Sequence, residues 1–283
     1  MGTYLRPADL GDAVDALAAG VAEGRPKVIV AGATDHYPAR VGRVMDEDVL
    51  DLSGLEGLPS IEPREGGWLI PAGATWTDIA EAQLPPLFAG LRRAARAIGG
   101  LQIQNRATVV GNVANASPAA DGVPNLIALD ADVELVSARG SRRIPMAEFV
   151  TGNRATLRAA DELITGLFVP EPAGLARSTF LKLGSRAYLV ISIAMVAAVL
   201  VTDEQRRITS ARVAVGACSA VAARLPELEG QLVGRAAAPG LEEVVRASHL
   251  AALSPIDDVR ATAAYRREAA EVLVRRALAE LVA

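Results

Sequence analysis

The chain has 283 residues, a formal net charge of −4, 51% hydrophobic residues and 22% charged residues. That length holds one large domain or two modest ones, with the composition of an ordinary soluble globular protein. The mild charge, with arginine pairs scattered rather than pooled and read as a solvated face or subunit contacts, speaks against nucleic acid.

The N-terminal "MGTYLRPADLGDAVDAL" lacks the basic-then-apolar order of a signal peptide. In "ADLGDAVDALAAGVAEG", Leu10, Val14, Leu17, Ala18 and Val21 fall on one helical face, with Asp9 as N-cap and Gly24 as stop. "KVIVAGATD" predicts a short buried strand, Lys27 to Val30, opening into a small-residue loop. Helix, strand and loop in that order make an α/β unit. "DVLDLS" predicts a second strand near Asp48, and "GWLIPAGAT" a third ending at Thr75. Thr75 and Asp78 form a capping box for "WTDIAEAQL". "PPLFAGLRRAARAIGG" predicts a helix with a proline start and a Gly99-Gly100 stop. "RATVVGNVANASP", Arg106 to Pro118, reads as a second small-residue loop. "ADVELVSARGSRRIPM" reads as a hairpin turning at or near Arg139-Gly140, and "DELITGLFVP" as a strand ended by Pro170.

"EPAGLA" is the linker candidate. Beyond it, "STFLKLG", "VISIAMVAAVLV" and "RITSARVAVGA" predict three antiparallel strands, with "DEQRR" looping between the last two. "LEEVVRASHLAAL" and "DVRATAAYRREAAEVLVRRALAELV" predict closing helices, the latter with Val259, Ala263, Val272, Leu273, Ala277 and Val282 at roughly helical spacing. The apolar run Ala187 to Val201 is shorter than the roughly 20 residues a membrane helix needs, so a soluble, cytoplasmic protein without an integral membrane segment is expected. The pattern is α+β in two parts, broken near residue 172.

Two loops carry the chemistry: "VAGATD", Val30 to Asp35, and "RATVVGNVANASP". Small residues let backbone N–H groups approach an anion, and two such loops face to face would clamp a pyrophosphate. Each taken alone is also what a tight turn looks like. Thr108, Asn112, Asn115 and Ser117 supply hydroxyls and amides that bind phosphate or ribose oxygens without charge. Asp121 would accept from a ribose hydroxyl or an adenine amine, or is a turn residue before Gly122. Lys182, mid-strand, is a cofactor contact or an outward solvated lysine. Cys218, the one cysteine, excludes an internal disulfide and a cysteine-ligated iron–sulfur cluster built by this chain alone; its apolar setting reads as a buried inert thiol. The two histidines, His36 and His249, show no metal-ligand spacing. No Ser–His–Asp set, Cys–His pair or carboxylate dyad stands out, so no catalytic residue is assigned and a bound cofactor is expected to supply reactivity.

These blocks, in this order, resemble the medium, FAD-binding subunit of the molybdenum hydroxylases, the xanthine dehydrogenase and carbon monoxide dehydrogenase family. "YLRPADLGDAVDAL" is similar to its opening, "VAGATD" to its first flavin loop, and "AIGGLQIQNRATVVGNVANASPAADGVPNLIALDADVEL" to its second loop. "FLKLGSRAYLVISIAMVAAVL" and "DDVRATAAYRREAAEVLVRRAL" resemble its C-terminal domain. The resemblance implies an FAD-binding domain of the vanillyl-alcohol-oxidase type over 1–171, with α/β subdomains of about 1–54 and 55–171. A C-terminal domain with a three-stranded antiparallel sheet and helices would follow over 172–283. It implies that Ile29, Val30, Ala31, Gly32, Ala33, Thr34, Asp35 and His36 line the FAD pyrophosphate. Ala107, Thr108, Gly111 and Asn112 would complete the clamp, with Asn115 and Ser117 nearby. Asp121 would bind the adenosine side, Ile98 would sit near the isoalloxazine ring, Ile164 would pack on the cofactor, and Lys182 would touch it.

The implied role is an electron-transfer oxidoreductase subunit that holds FAD and no metal. Molybdopterin cofactor would reside in a large partner subunit, and two-iron–two-sulfur clusters in a small one, as a doubled heterotrimer. A stand-alone flavin oxidoreductase, or a scaffold that has lost FAD, are the alternatives. Two positions depart from the family pattern. The first loop usually carries two glycines, where this chain has Gly32-Ala33. The second usually reads Thr-x-Gly-Gly-Asn, where this chain has Val110. A β-branched residue at positive φ would be an outlier, so either Val110 keeps a negative φ or the loop is reshaped.

Overall fold

The computed structural model describes residues 2–58, 60–187 and 189–283; Tyr188, within the apolar run Ala187 to Val201, lies outside the described residues. The first unit runs β1 (Tyr4–Leu5), α1 (Leu10–Ala22), β2 (Val28–Val30) and β3 (Val49–Asp51). β3 lies between β1 and β2, parallel to both. Asp9 caps α1 by accepting from the Asp12 amide at 2.8 Å, and Gly24 at φ +70° ends it, as expected. The buried face is Ala13, Val14, Leu17 and Gly20, while Leu10 and Val21 are exposed. Val14 and Leu17 of the predicted face are packed, and Ala13 and Gly20 join them in place of Leu10 and Val21 because small residues let the helix approach the sheet.

The second unit contains β4 (Glu62–Arg64), β5 (Gly67–Pro71), α2 (Trp76–Glu81), α3 (Ala89–Ala97), α4 (Leu101–Gln104), α5 (Val109–Asn115) and α6 (Gly122–Ala128). It continues with β6 (Asp132–Ser137), β7 (Gly140–Pro145), α7 (Met146–Phe149), β8 (Val150–Gly152), β9 (Ala155–Thr156) and β10 (Leu163–Pro170). Its antiparallel sheet has the order β4-β5-β10-β6-β7, and β8 and β9 pair as a separate hairpin. The capping box is present: the Asp78 amide donates to Thr75 Oγ1 at 3.2 Å and the Thr75 amide to Asp78 Oδ2 at 2.8 Å. The second predicted loop is in its centre a helix, α5. "VVGNVAN" buries Val109, Val110 and Val113, spaced one and three residues apart on a helical face.

The third unit has β11 (Leu175–Leu183), β12 (Ala194–Thr202), β13 (Ile208–Gly216), the two-residue β14 (Ala223–Arg224), α8 (Pro226–Leu232) and α9 (Ala263–Val282). The three long strands are antiparallel as predicted, and β14 adds to the sheet beyond β13. β12 is buried on both faces. Met195, Ala197, Val199 and Val201 join the core of the second unit, whereas Ala194, Val196, Ala198 and Leu200 join the core under α8 and α9. Strand alternation therefore explains an unbroken apolar run.

"LEEVVRASHLAAL" is not an α-helix but two 3₁₀ turns, Leu241–Val244 and Ala247–Leu250. α9 starts at Ala263, behind the Thr262 N-cap, so Val259 lies outside it and is fully exposed. Arg266, read as half of a solvated arginine pair, is buried: it donates to Ile193 O at 2.6 Å, Ala217 O at 3.1 Å and Asp258 Oδ1 at 2.7 Å. Cys218 is buried, and that burial pushes its thiol up to about 11. Among the described residues no helix is long and apolar enough to cross a membrane.

Candidate functional site

The first loop leaves β2 at Val30 and runs half-buried through Ala31, Gly32, Ala33 and Thr34. The amides of Gly32, Ala33, Thr34, Asp35 and His36 make no hydrogen bond among the described residues. Ala33 has φ +54°, so the left-handed conformation falls on the alanine that replaces the family's second glycine. A left-handed residue among right-handed neighbours turns successive N–H groups toward one side and makes an anion-binding concavity. Gly32 is required for a different reason. A Cβ there would sit 1.8 Å from the carbonyl oxygen of Arg106, so the loop backbone lies directly on Arg106-Ala107.

That contact joins the two halves. The Trp76 amide donates to Ala107 O at 3.1 Å and the Val109 amide to Ala74 O at 2.9 Å. Thr108 is buried as the N-cap of α5, its Oγ1 accepting from the Gly111 amide at 2.9 Å. Val110 is not among the residues of positive φ, which resolves the question raised by its β-branch. Ala31, Gly32, Ser53, Gly73, Arg106 and Thr108 are among the residues lining a cleft of about 150 Å³ between these segments. The volume suits part of a dinucleotide, not all of one.

From α5 a second line of contacts leads to the C-terminal sheet. Asn112 Oδ1 accepts from the Gly122 amide at 3.2 Å. The neighbouring Asp121 is 5% exposed, takes Lys182 Nζ at 2.5 Å on one oxygen and Ser192 Oγ at 2.6 Å on the other. Burial pushes the Asp121 carboxyl above the usual carboxylate range, opposed by Lys182 and Ser192. Lys182 is therefore not an outward solvated lysine. Asp121 is also no free turn residue, being bonded to two side chains from beyond residue 172.

The structure brings together Gly32, Ala107 and Thr108, and separately Asn112, Asp121 and Lys182. Ile98 closes α3, with its carbonyl held by Gln104 Nε2 at 3.0 Å, and the following Gly99-Gly100 turn faces Leu189. Ser117 Oγ accepts from the Ala119 amide at 3.3 Å. Ile29 packs beside Leu50 in the small first-unit core. Ile164 is 3% exposed and sits in the main core, outside the cleft lining. His36 is half-buried, and burial lowers its imidazole below the ordinary range; its Nε2 is a buried atom with no hydrogen-bond partner among the described residues, 3.9 Å from Glu47 Oε2.

Two residues were missed from sequence. Ser192 is 71 positions from the Asp121 it supports. Arg154, in the β8–β9 turn, donates to Asp35 Oδ2 at 2.8 Å and to Asn115 Oδ1, spanning both clamp segments. Its own φ is +59°, the left-handed backbone of the short turn between β8 and β9. Among the described residues no cluster of His, Cys, Asp or Glu is arranged to hold a metal.

The family described as the FAD binding domain in molybdopterin dehydrogenase matches residues 1–172, and the CO dehydrogenase flavoprotein C-terminal domain matches residues 179–281. The nicotine 6-hydroxylase medium subunit of Paenarthrobacter nicotinovorans is 31% identical over 284 residues, spanning 98% of this chain and 96% of its own. The glyceraldehyde dehydrogenase medium chain of Sulfolobus acidocaldarius is 28% identical, with 99% of this chain and 98% of that one spanned. A chain of the reconstituted CO dehydrogenase from Oligotropha carboxidovorans superposes with a TM-score of 0.88 at 25% identity, covering 100% of this chain and 98% of that one.

Proposed function

The chain belongs to the family of FAD-binding subunits of molybdopterin dehydrogenases, and from that premise we propose that it is the electron-transfer subunit of a molybdenum hydroxylase or dehydrogenase. It would link the iron–sulfur clusters of a partner chain to an external acceptor. The observation that carries the reading is the run of unpaired amides from Gly32 to His36, laid on the Arg106 backbone beside Thr108. The residues fit the cofactor: the loop offers a row of N–H donors, and a Cβ at Gly32 would fill the contact that seats it.

Ala31 to His36 would hold the pyrophosphate through backbone amides, with Thr108, Gly111 and Asn112 as the facing wall. Arg154 would neutralise charge from the open side. Asp121 and Lys182 would meet the cofactor where the second and third units join. When bound, FAD supplies the redox chemistry, and the chain's task is to bind, orient and shield it. The domain division proposed is 1–171 and 172–283, with subdomains of about 1–54 and 55–171.

The relatives are named as medium subunits and chains, which supports a larger and a smaller partner; in this reading the larger binds molybdenum, the smaller carries two-iron–two-sulfur clusters, and the assembly is a doubled heterotrimer in the cytoplasm. Co-expression with the chains encoded beside this one tests the assignment. The expected outcome is co-purification of both partners, with flavin bleaching by a reductant accelerated when the iron–sulfur partner is present. A chain that elutes alone and oxidises a small substrate by itself would overturn it.

A further inference from the structure

The larger of the two cavities described in the molecule is not the flavin cleft. It is a groove of about 430 Å³ between α3, β11 and the end of α9. Four guanidinium groups line it, from Arg92, Arg93, Arg96 and Arg177, against one carboxylate, Glu280. In a chain of net charge −4 this is a local excess of positive charge.

The four arginines are not equivalent. Arg93 is tied to Glu280 and donates to Thr179 Oγ1 at 2.8 Å. Arg96 donates to Ala80 O at 3.2 Å. Arg92 and Arg177 have no hydrogen bond or ion pair among the described residues, and Arg92 Nε is buried without a partner. That Nε is shut off from solvent, so a molecule in the groove would meet the two terminal nitrogens of Arg92, which also have no partner among the described residues. Arg92 comes from α3 in the second unit and Arg177 from β11 in the third. Two unneutralised cations thus face one groove where two units meet, a frequent place for small-molecule sites.

The groove is separate from the flavin cluster. Thr179 and Lys182 are an odd number of positions apart on one strand, so they point to opposite faces, and they are about 10 Å apart along it.

We propose that this groove binds a phosphorylated small molecule, with a diphosphate group held between Arg92 and Arg177. Guanidinium forks match phosphate oxygens in pairs, and two of them suit two linked phosphoryl groups. The volume exceeds what inorganic phosphate fills and lies within the range of sites for drug-sized molecules, so a nucleoside diphosphate is the class that fits. The inference does not rest on the flavin assignment.

The test is isothermal titration of the full chain, first loaded with FAD and then freed of excess FAD by gel filtration, with inorganic pyrophosphate and, separately, with ADP. One saturable site with a Kd below about 1 mM is expected, weakening as salt is raised. The Arg92→Gln/Arg177→Gln double variant is expected to lose at least about tenfold in affinity, and the exposed single variant Arg177→Gln at least about threefold. Arg139→Gln, on a remote hairpin, is expected to bind as the unaltered chain does. Tighter binding of ADP than of pyrophosphate assigns a nucleotide, and equal binding assigns the diphosphate group alone. No saturable heat, or undiminished affinity in both Arg177 variants, would overturn the proposal whether or not the chain holds FAD.

Discussion

The two segments that meet at the cleft are made of similar small residues, yet they hold themselves in opposite ways. Ala31 to His36 is irregular, carries a left-handed alanine and leaves five successive amides unbonded among the described residues. Thr108 to Asn115 is a capped helix whose first amides are satisfied by Ala74 and by Thr108 itself. In the proposed reading the first segment offers its backbone to a ligand. The second is a settled wall, anchored through Asn112 and the Asp121–Lys182 pair to the C-terminal sheet. A run of small residues therefore identifies a close approach of backbones, and the unbonded amides distinguish one side of it from the other.

The strongest way to break this contrast is to free the wall from its anchor. Lys182→Met leaves Asp121 buried with Ser192 alone and is expected to lower unfolding free energy by about 3 kcal/mol in urea titration. An unchanged midpoint would mean the anchor carries no load. Next comes the seat of the first segment. Gly32→Ala places a methyl on the Arg106 carbonyl and is expected to cost about 2–3 kcal/mol and to abolish tight FAD binding. Gly111→Ala displaces only the Thr108 hydroxyl, 2.7 Å away, and the lost cap is offset by a helix that favours alanine, so the net cost should be less than about 1 kcal/mol. Equal effects of the two alanines would erase the distinction between the segments.

Removing the N-cap by Thr108→Val is expected to cost about 1 kcal/mol, read as a lower melting temperature. The two positions where this chain departs from the family's glycines should then respond with opposite signs. Ala33→Gly relieves a left-handed alanine and is expected to be neutral or stabilising by under about 1 kcal/mol. Val110→Gly removes a buried side chain from a helix and is expected to destabilise by more than about 1 kcal/mol. Arg154→Ala, whose ion pair with Asp35 is half-exposed, should shift stability by less than about 0.5 kcal/mol while weakening FAD measurably in a fluorescence titration.

What was legible in the sequence was local. The Asp9 cap, the Thr75–Asp78 box, the Arg139-Gly140 turn and the end of β10 at Pro170 each depend on residues within a few positions of one another. The first loop was legible for the same reason, since Gly-Ala after a β-branched strand leaves few alternatives. α5 was misread because Gly111, Asn112 and Asn115 outweighed the spacing of Val109, Val110 and Val113. The turns at Leu241–Val244 and Ala247–Leu250 carry helical composition but are set by packing under α9, which no local signal encodes.

Of the site, the residues of the two contact centres were named from the sequence, but not as partners of one another. Asp121, Lys182 and Ser192 come from α6, β11 and the segment before β12, and their meeting follows only from the docking of the sheet on the second unit. Arg154 was invisible because its partners Asp35 and Asn115 lie 119 and 39 positions away. The solvated alternative for Lys182 and the solvated reading of Arg266 fail for one physical reason: each cation is withdrawn from solvent because distant elements bring it acceptors, Asp121 for Lys182, and Ile193 O and Asp258 for Arg266.

The central claim is that the unpaired amides of the first segment, set against the α5 wall, read a flavin dinucleotide. The direct measurement is flavin retention by the full chain after mixing with FAD, FMN or riboflavin and gel filtration. The account predicts one FAD retained per chain with its visible absorbance bands, and no retention of riboflavin, which lacks the pyrophosphate. Loss of FAD on the column, or equal retention of riboflavin, would contradict it.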